Sequence, residues 1–297
     1  PPDRRGRCSL GPAADFSPAA FAGARLKIGW INPALPPARD GPSLSLDAFD
    51  LIVEADSPPP DYGAEPADAS VQAVARRVVD LIPDGAAVQT GLGKIGVAVL
   101  AALKGRRGLS VHSGMVTEPL IALLDTDAVD AVTTGVALGS SALLARTAED
   151  SRVRFRPVGD THAIRTLAGL RRFVAVNSAI EVDLFGQLNA EWMGGRQVSG
   201  VGGLIDFLRG AGSSDGGVPI VALAASARRG AVSRIVPRLA HPPSVGRWEG
   251  VVVVTEHGAA DLRGLDADAR AEALIGVADP AWRDRLAADW SAIRGSM

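Results

Sequence analysis

The stretch that decides the fold is Ala86–Glu118, AAVQTGLGKIGVAVLAALKGRRGLSVHSGMVTE. Ala86–Thr90 reads as a strand and Gly91–Gly96 as a glycine turn. Val97–Lys104 reads as a helix, and Leu109–His112, after a basic loop, as a second strand. Strand, turn, helix and strand within this length make a βαβ crossover, which sets the two strands parallel with a right-handed connection. The ligand crevice of such a sheet lies at the carboxyl ends of its strands. Gly91–Gly96 and Ser113–Glu118 both fall there, so chemistry is expected first at those two places.

Upstream, Ala69–Ile82 (ASVQAVARRVVDLI) places Val71, Val74, Val78 and Leu81 at spacings of three and four. That is an amphipathic helix with Asp68 or Ser70 as its N-cap, ended by Pro83-Asp84-Gly85. Asp56–Asp68 (DSPPPDYGAEPAD) is rich in proline and reads as a linker. It divides the chain into residues 1–65, with short strands within Phe21–Asn32 and at Leu51–Glu54, and residues 66–297. Downstream, helices are expected at Leu120–Leu124, Ser140–Ala148, Ile164–Leu170 and Ile205–Arg209, with strands at Ala131–Thr134, Val153–Pro157, Phe173–Asn177, Pro219–Leu223 and Ser233–Pro237. Glu181–Asn189 alternates and turns at Gly186, as a hairpin does. Val251–Glu256 (VVVVTE) reads as a central strand, and Asp268–Gly276 and Trp282–Ile293 as closing helices. Strands alternating with helices predict an α/β class, an open, mostly parallel twisted sheet flanked by helices.

The 297 residues are 47% hydrophobic, enough for a sizeable core, and the net charge is −2. No basic surplus points to nucleic acid. No apolar run approaches the roughly 20 residues that span a bilayer. A single cysteine, Cys8, excludes an intrachain disulfide and fits a reducing cytoplasm. Because Pro1–Gly11 (PPDRRGRCSLG) reads like the interior of a longer polypeptide, further material upstream is expected, removed by processing or carried on a partner chain.

Gly91-Leu92-Gly93-Lys94-Ile95-Gly96 matches G-x-G-x-x-G after a strand and before a helix. Its amides could bind a phosphate or an oxyanion. A dinucleotide also needs an acid at the end of the next strand, and none stands at His112-Ser113-Gly114, with Glu118 poorly placed beyond. The same glycines could serve tight strand–helix packing or face some other ligand. Ser199-Gly200-Val201-Gly202-Gly203 is a second glycine loop before a helix, favouring contact with a ligand over flexibility alone. Glu256, at the end of VVVVTE, either faces the crevice or caps a helix over Ala259–Leu262. His112 lies at a strand end, where a hydrogen-bonded core histidine is the commoner role. No His, Cys, Asp and Glu set has metal-ligand spacing, so no metal is expected. Arg228, Arg229, Arg234 and Lys94 could meet phosphates or be solvated surface charge.

Together, PPDRRGRCSLG, GLGKIGVAVLAAL, VHSGM, FVAVNSAIEVDLFGQLNAE, SGVGGLIDFLRG, SRIVPRL, VVTEHGAADLRG and ADPAWRDRL resemble the acetyl-CoA hydrolase/transferase family, the group that contains 4-hydroxybutyrate and acetate CoA-transferases. The resemblance covers most of Pro1–Leu286. It implies the CoA-transferase-like, NagB/RpiA-type arrangement of two similar open α/β domains with coenzyme A between them. Residues 1–65 would then be the end of the first domain and 66–297 the second. The partner it implies is an acyl-CoA or acyl-carrier thioester, bound by a homo-oligomer or by this chain with a partner that supplies the front portion. Gly91, Gly93, Lys94, Gly96, Gly200 and Gly202 are the positions expected against the ligand.

In that family a glutamate attacks the thioester, giving a mixed anhydride and then an enzyme–CoA thioester. The resemblance places this nucleophile after His-Ser or His-Thr, where the present chain has Gly114. Gly203 matches the residue whose amide helps form the oxyanion hole, and Glu256 a second active-site glutamate. Two further departures accompany Gly114. The family's Asn-Asp-Pro turn is replaced near Asp160-Thr161-His162, and a long lysine-bearing loop is cut to Asp125–Asp130. Glu118 and Ser113 are the substitute nucleophiles to weigh. His112 is a poor base for Ser113, since adjacent strand residues face opposite ways. The expectation is hydrolysis or direct acyl transfer without a glutamyl-CoA intermediate, with Glu256 or a histidine as base. A conventional transferase through Glu118, a non-catalytic CoA-binding subunit and a nicotinamide oxidoreductase stay as alternatives.

Overall fold

The computed structural model describes residues 1–63 and 67–296. Eight strands form the main sheet: β1 (Ala87–Thr90), β2 (Leu109–Thr117), β3 (Val129–Leu138), β4 (Val153–Phe155), β5 (Phe173–Ser178), β6 (Val218–Ala222), β7 (Val252–Thr255) and β8 (Gly258–Asp261). Their order is β8-β7-β6-β5-β1-β2-β3-β4, parallel throughout except for the antiparallel edge strand β8. The chain winds outward from β1 to β4, then returns to place β5 on the other side of β1 and winds away again. Strand order therefore reverses between β1 and β5, the position where open α/β sheets bind ligands.

Side-chain alternation divides the core into two faces. Val88, Val174, Val176, Ile220, Ala222, Val252 and Val254 pack on one side with the helices Ala69–Asp80 and Lys94–Ala102. On the other side, Ala87, Phe173 and Ala175 pack with Leu167, Phe207 and Ala211 of the helices Ile164–Ala168 and Leu204–Ser213, and Val221 and Val253 pack beneath Ala267–Val277. Strands buried on both faces must be apolar at nearly every position, as the run of valines in β7 is.

Several expected boundaries move. The first crossover helix begins at Lys94, three residues early, with Gly93 (φ 99°) as its N-cap. The second strand does not stop at His112. Ser113–Thr117 continue it by pairing with Thr134–Leu138 of β3, beyond the end of β1. Val252–Thr255 is next to the edge rather than central, and Gly258–Asp261 folds back along it as a strand instead of a helix. Thr255 Oγ1 accepts from the His257 amide (3.0 Å) and helps turn that hairpin. Ser233–Pro237 divides into two short strands, Val232–Ser233 and Ile235–Val236, in different sheets. The helix Ala69–Asp80 is capped by Asp68, whose Oδ1 accepts from the Val71 amide at 2.9 Å.

The division expected at 65/66 falls on residues outside those described. The front segment is bonded into the main sheet: Ala14 N–H donates to Gly135 O (2.8 Å), Ala137 N–H to Pro12 O (2.9 Å) and Phe155 N–H to Asp40 O (2.8 Å). Ala14 is fully buried in the main core. A separate two-stranded parallel pair, Ile28–Ile31 with Leu51–Glu54, leaves Trp30 67% and Leu51 55% exposed. Among the described residues, no helix is long and apolar enough to cross a membrane, and no cluster of three or more His, Cys, Asp or Glu could hold a metal.

Candidate active site

A cavity of about 520 Å³ opens where β1 and β5 end, and β2 runs past them along one wall. Gln89 and Asn177 close its floor with a reciprocal amide pair: Gln89 Nε2 donates to Asn177 Oδ1 (3.2 Å), and Asn177 Nδ2 to Gln89 Oε1 (2.9 Å). Both amides are buried, and mutual pairing is what such groups require. Gly91 follows β1 and donates its N–H to Val176 O (2.8 Å). A Cβ on it would sit 3.0 Å from Asn177 Oδ1.

Gly114 and Gly203 face one another across the imidazole of His162. A Cβ on Gly114 would stand 2.8 Å from His162 Cε1, and one on Gly203 would stand 2.5 Å from both Cδ2 and Nε2. The ring therefore uses room that only two glycines leave. His162 closes the short helix Val158–Thr161. Its ring lies against Phe207, with centroids 4.5 Å apart. Its Nδ1 is 2.9 Å from Thr161 Oγ1, and the Thr161 hydroxyl also reaches Pro157 O at 3.4 Å. With that hydroxyl donating to the carbonyl, Thr161 Oγ1 accepts from Nδ1–H and Nε2 carries the lone pair, aimed between the two glycines. Burial lowers the pKa of His162, opposed by the charges of Asp206 and Asp15. Its neutral form is thus favoured near neutral pH.

His112 sits on the same face of β2 as Gly114, two residues earlier, and is buried. Its Nε2 donates to Thr161 O at 3.0 Å, anchoring the peptide that precedes His162. Burial lowers its pKa, so it is held neutral. Ser113 faces the other way, and its hydroxyl donates to Thr90 O at 3.1 Å. His112 and Ser113 are not brought together.

The two acids weighed as catalysts lie elsewhere. Glu118 accepts from Ser140 N–H (2.9 Å) and Ser140 Oγ–H (2.7 Å), so both its oxygens tie down the start of the helix Ser141–Glu149. Glu256 is half-buried after β7, two strands from β5, and its Oε2 accepts from Ala225 N–H at 2.8 Å. Neither lines the cavity.

The glycine turns divide as well. Gly91, Gly200, Gly202 and Gly203 line the cavity. Gly93 and exposed Lys94 border a separate hollow with Leu92, Tyr62 and Thr117. Gly96 is a packing glycine, since a Cβ there would fall 2.0 Å from Gly91 O. No described residue accepts the Gly203 N–H. Arg228, Arg229 and Arg234 lie away from the cavity. The residue that local sequence did not single out as a catalyst is His162. Its signal in the sequence is Asp160-Thr161-His162, which the resemblance marks as a departure and which this fold carries against Gly114.

Residues 139–290 match the acetyl-CoA hydrolase/transferase C-terminal domain. The 4-hydroxybutyrate coenzyme A transferase of Clostridium kluyveri is 34% identical over 96% of this chain and 69% of its own length. The chain belongs to the acetyl-CoA hydrolase/transferase family. It is an acyl-CoA transferase/hydrolase-like enzyme. Among solved structures, RipA from Yersinia pestis superposes with a TM-score of 0.94 at 30% identity, over 99% of this chain and 69% of that one. The 4-hydroxybutyrate CoA-transferase of Porphyromonas gingivalis superposes with a TM-score of 0.86 at 30% identity, over 100% of this chain and 73% of that one. The present chain therefore spans about two thirds of the length of these relatives. The matched C-terminal domain carries His162, the 199–203 loop and Glu256, and β1 and Gly114 precede it.

Proposed function

We propose that this acetyl-CoA hydrolase/transferase family member binds an acyl thioester of coenzyme A or of an acyl carrier in the cavity at the ends of β1 and β5. There it hydrolyses the thioester or passes the acyl group directly to an acceptor, with no glutamyl-CoA intermediate. The observation that carries the reading is the geometry at Gly114. No side chain projects from it, and the volume a carboxylate there would need is held by the His162 ring, whose Cε1 lies 2.8 Å from the point a Cβ would occupy. The thioester carbonyl would rest against the Gly203 amide, and the open loop at Gly200 and Gly202 would let the ligand approach the backbone. Loss of a covalent nucleophile costs on the order of 10⁴–10⁶ in rate where it has been measured in proteases, so an unchanged ping-pong route is disfavoured. Glu118 does not restore that route, because both its oxygens are bound by Ser140.

Intact-mass spectrometry after incubation with acyl-CoAs, alongside CoA release with and without carboxylate, amine and alcohol acceptors, tests the reading. The expected result is CoA release with no covalent CoA on the protein. A CoA adduct on any glutamate would restore the ping-pong transferase. A second reading, a CoA-binding subunit that completes a partner chain, is favoured by the exposed apolar pair at Trp30 and Leu51. Thioester binding without turnover would support it.

A further inference from the structure

We propose that His162 is the catalytic base of this site, activating a water molecule held in the cavity beside its Nε2. The inference rests on the thioester reading above and assigns the hydrolytic step to a particular atom, Nε2. Three observations converge on that atom. Cβ atoms on Gly114 and Gly203 would come within 2.8 and 2.5 Å of this one ring, so its placement depends on both residues lacking side chains. Phe207 packs against the ring, and His162 lines the cavity. Behind it, His112 Nε2–H holds Thr161 O (3.0 Å) and Thr161 Oγ1 holds Nδ1 (2.9 Å), a chain from β2 that sets both the orientation and the tautomer.

In the step, Nε2 takes one proton from water as the water oxygen bonds to the thioester carbonyl carbon. The oxyanion that forms is held by the Gly203 amide. Its collapse breaks the C–S bond, and the proton on Nε2 passes to the departing sulfur, giving a carboxylic acid and the CoA thiol. His162 is thus neutral before and after turnover. The groups whose charge faces it are Asp15 from the front segment, Asp206 from the helix Leu204–Ser213, and His112 from β2. Thr161 is a positioning residue.

The test measures CoA release by the full chain across pH for wild type, His162→Gln, Thr161→Val and Thr161→Ser. His162→Gln is expected to lose about 10²- to 10⁴-fold in turnover. Wild-type activity is expected to rise with pH through an apparent pKa below 6.5, since burial lowers that of His162 and the neutral ring is the active form. Thr161→Val is expected to lose about tenfold and shift that limb, and Thr161→Ser to restore both. Wild-type turnover retained in His162→Gln would overturn the base and leave the thioester reading standing. So would the absence of a limb below 6.5, a readout that needs no variant to fold, or an acyl adduct found on His162. A wild-type chain that neither binds nor cleaves any acyl-CoA would overturn the thioester reading and the base with it.

Discussion

The two glycine turns of this chain, Gly91–Gly96 and Ser199–Gly203, look alike as sequence and do different physical work. In the first, Gly96 is required by contact within the turn itself, its Cβ position lying 2.0 Å from Gly91 O, and a Cβ on Gly91 would lie 3.0 Å from Asn177 Oδ1. In the second, Gly200 and Gly202 have open space around them, and the atoms nearest a Cβ on Gly203 belong to the rings of His162 and Phe207. The first turn lets a helix close onto its strand, and the second leaves room for the His162 ring, while Gly91 and the second loop border the same cavity. A match to G-x-G-x-x-G is therefore compatible with packing alone. A dinucleotide would also need an acid at the end of the next strand, and Glu118, poorly placed for that in the sequence, is bound at both oxygens by Ser140.

This division is broken most severely by Gly96→Ala. The obstructing atom is backbone, so the helix Lys94–Ala102 must move bodily, with an expected cost of about 3 kcal/mol or more. Thermal melting should fall by roughly 5–10 °C, with activity lost in proportion to unfolded protein. A variant that melts like wild type would show that the turn has slack. Gly203→Ala should separate site from fold. Its methyl group displaces a side chain rather than backbone, so stability should change by about 1 kcal/mol while CoA release falls about 10²-fold through the displaced ring. Full activity in that variant would remove the Gly203–His162 juxtaposition from the chemistry.

The same separation sorts the acids. Glu118→Gln weakens two hydrogen bonds at the start of the helix Ser141–Glu149, one of them to the N-cap hydroxyl of Ser140. The expected cost is about 1–2 kcal/mol in urea unfolding, with turnover of the folded fraction unchanged. A loss of turnover larger than the loss of folded protein would return Glu118 to the site.

Much of the fold was legible because buried parallel strands leave a simple mark. Val174–Val176, Ile220–Ala222 and Val252–Val254 must be apolar on both faces, and turns of glycine and proline separate them from helices with apolar spacings of three and four. Boundaries that depend on distant partners were not legible. Ser113–Thr117 is a strand because Thr134–Leu138 runs beside it, and Gly258–Asp261 is a strand because β7 offers it an edge. Four or five residues hold too little periodicity to distinguish the two outcomes. The candidate site is proposed from implied departures rather than from a motif. Gly114 and the segment 160–162, the departures that the resemblance implies, lie 46 to 48 positions apart, and the crossover from β4 to β5 brings them into contact. His162 follows from asking which side chain fills the volume left open at Gly114.

The smallest expected effects fall on the open loop, where they distinguish conformational need from ligand approach. Gly202 has φ 54°, and nothing lies within 4 Å of its Cβ position, so Gly202→Ala meets backbone strain but no collision. The expected cost is about 1 kcal/mol, visible in melting. Gly200 has the same open surroundings without the positive φ, so Gly200→Ala should leave melting within about 0.5 kcal/mol of wild type. If the glycines exist to let a thioester lie against the backbone, both variants should raise KM for acyl-CoA by a similar factor despite their different stabilities. If Gly202 alone matters, and only in proportion to its loss of stability, the loop serves the conformation that delivers Gly203 to His162 and makes no contact of its own with the ligand.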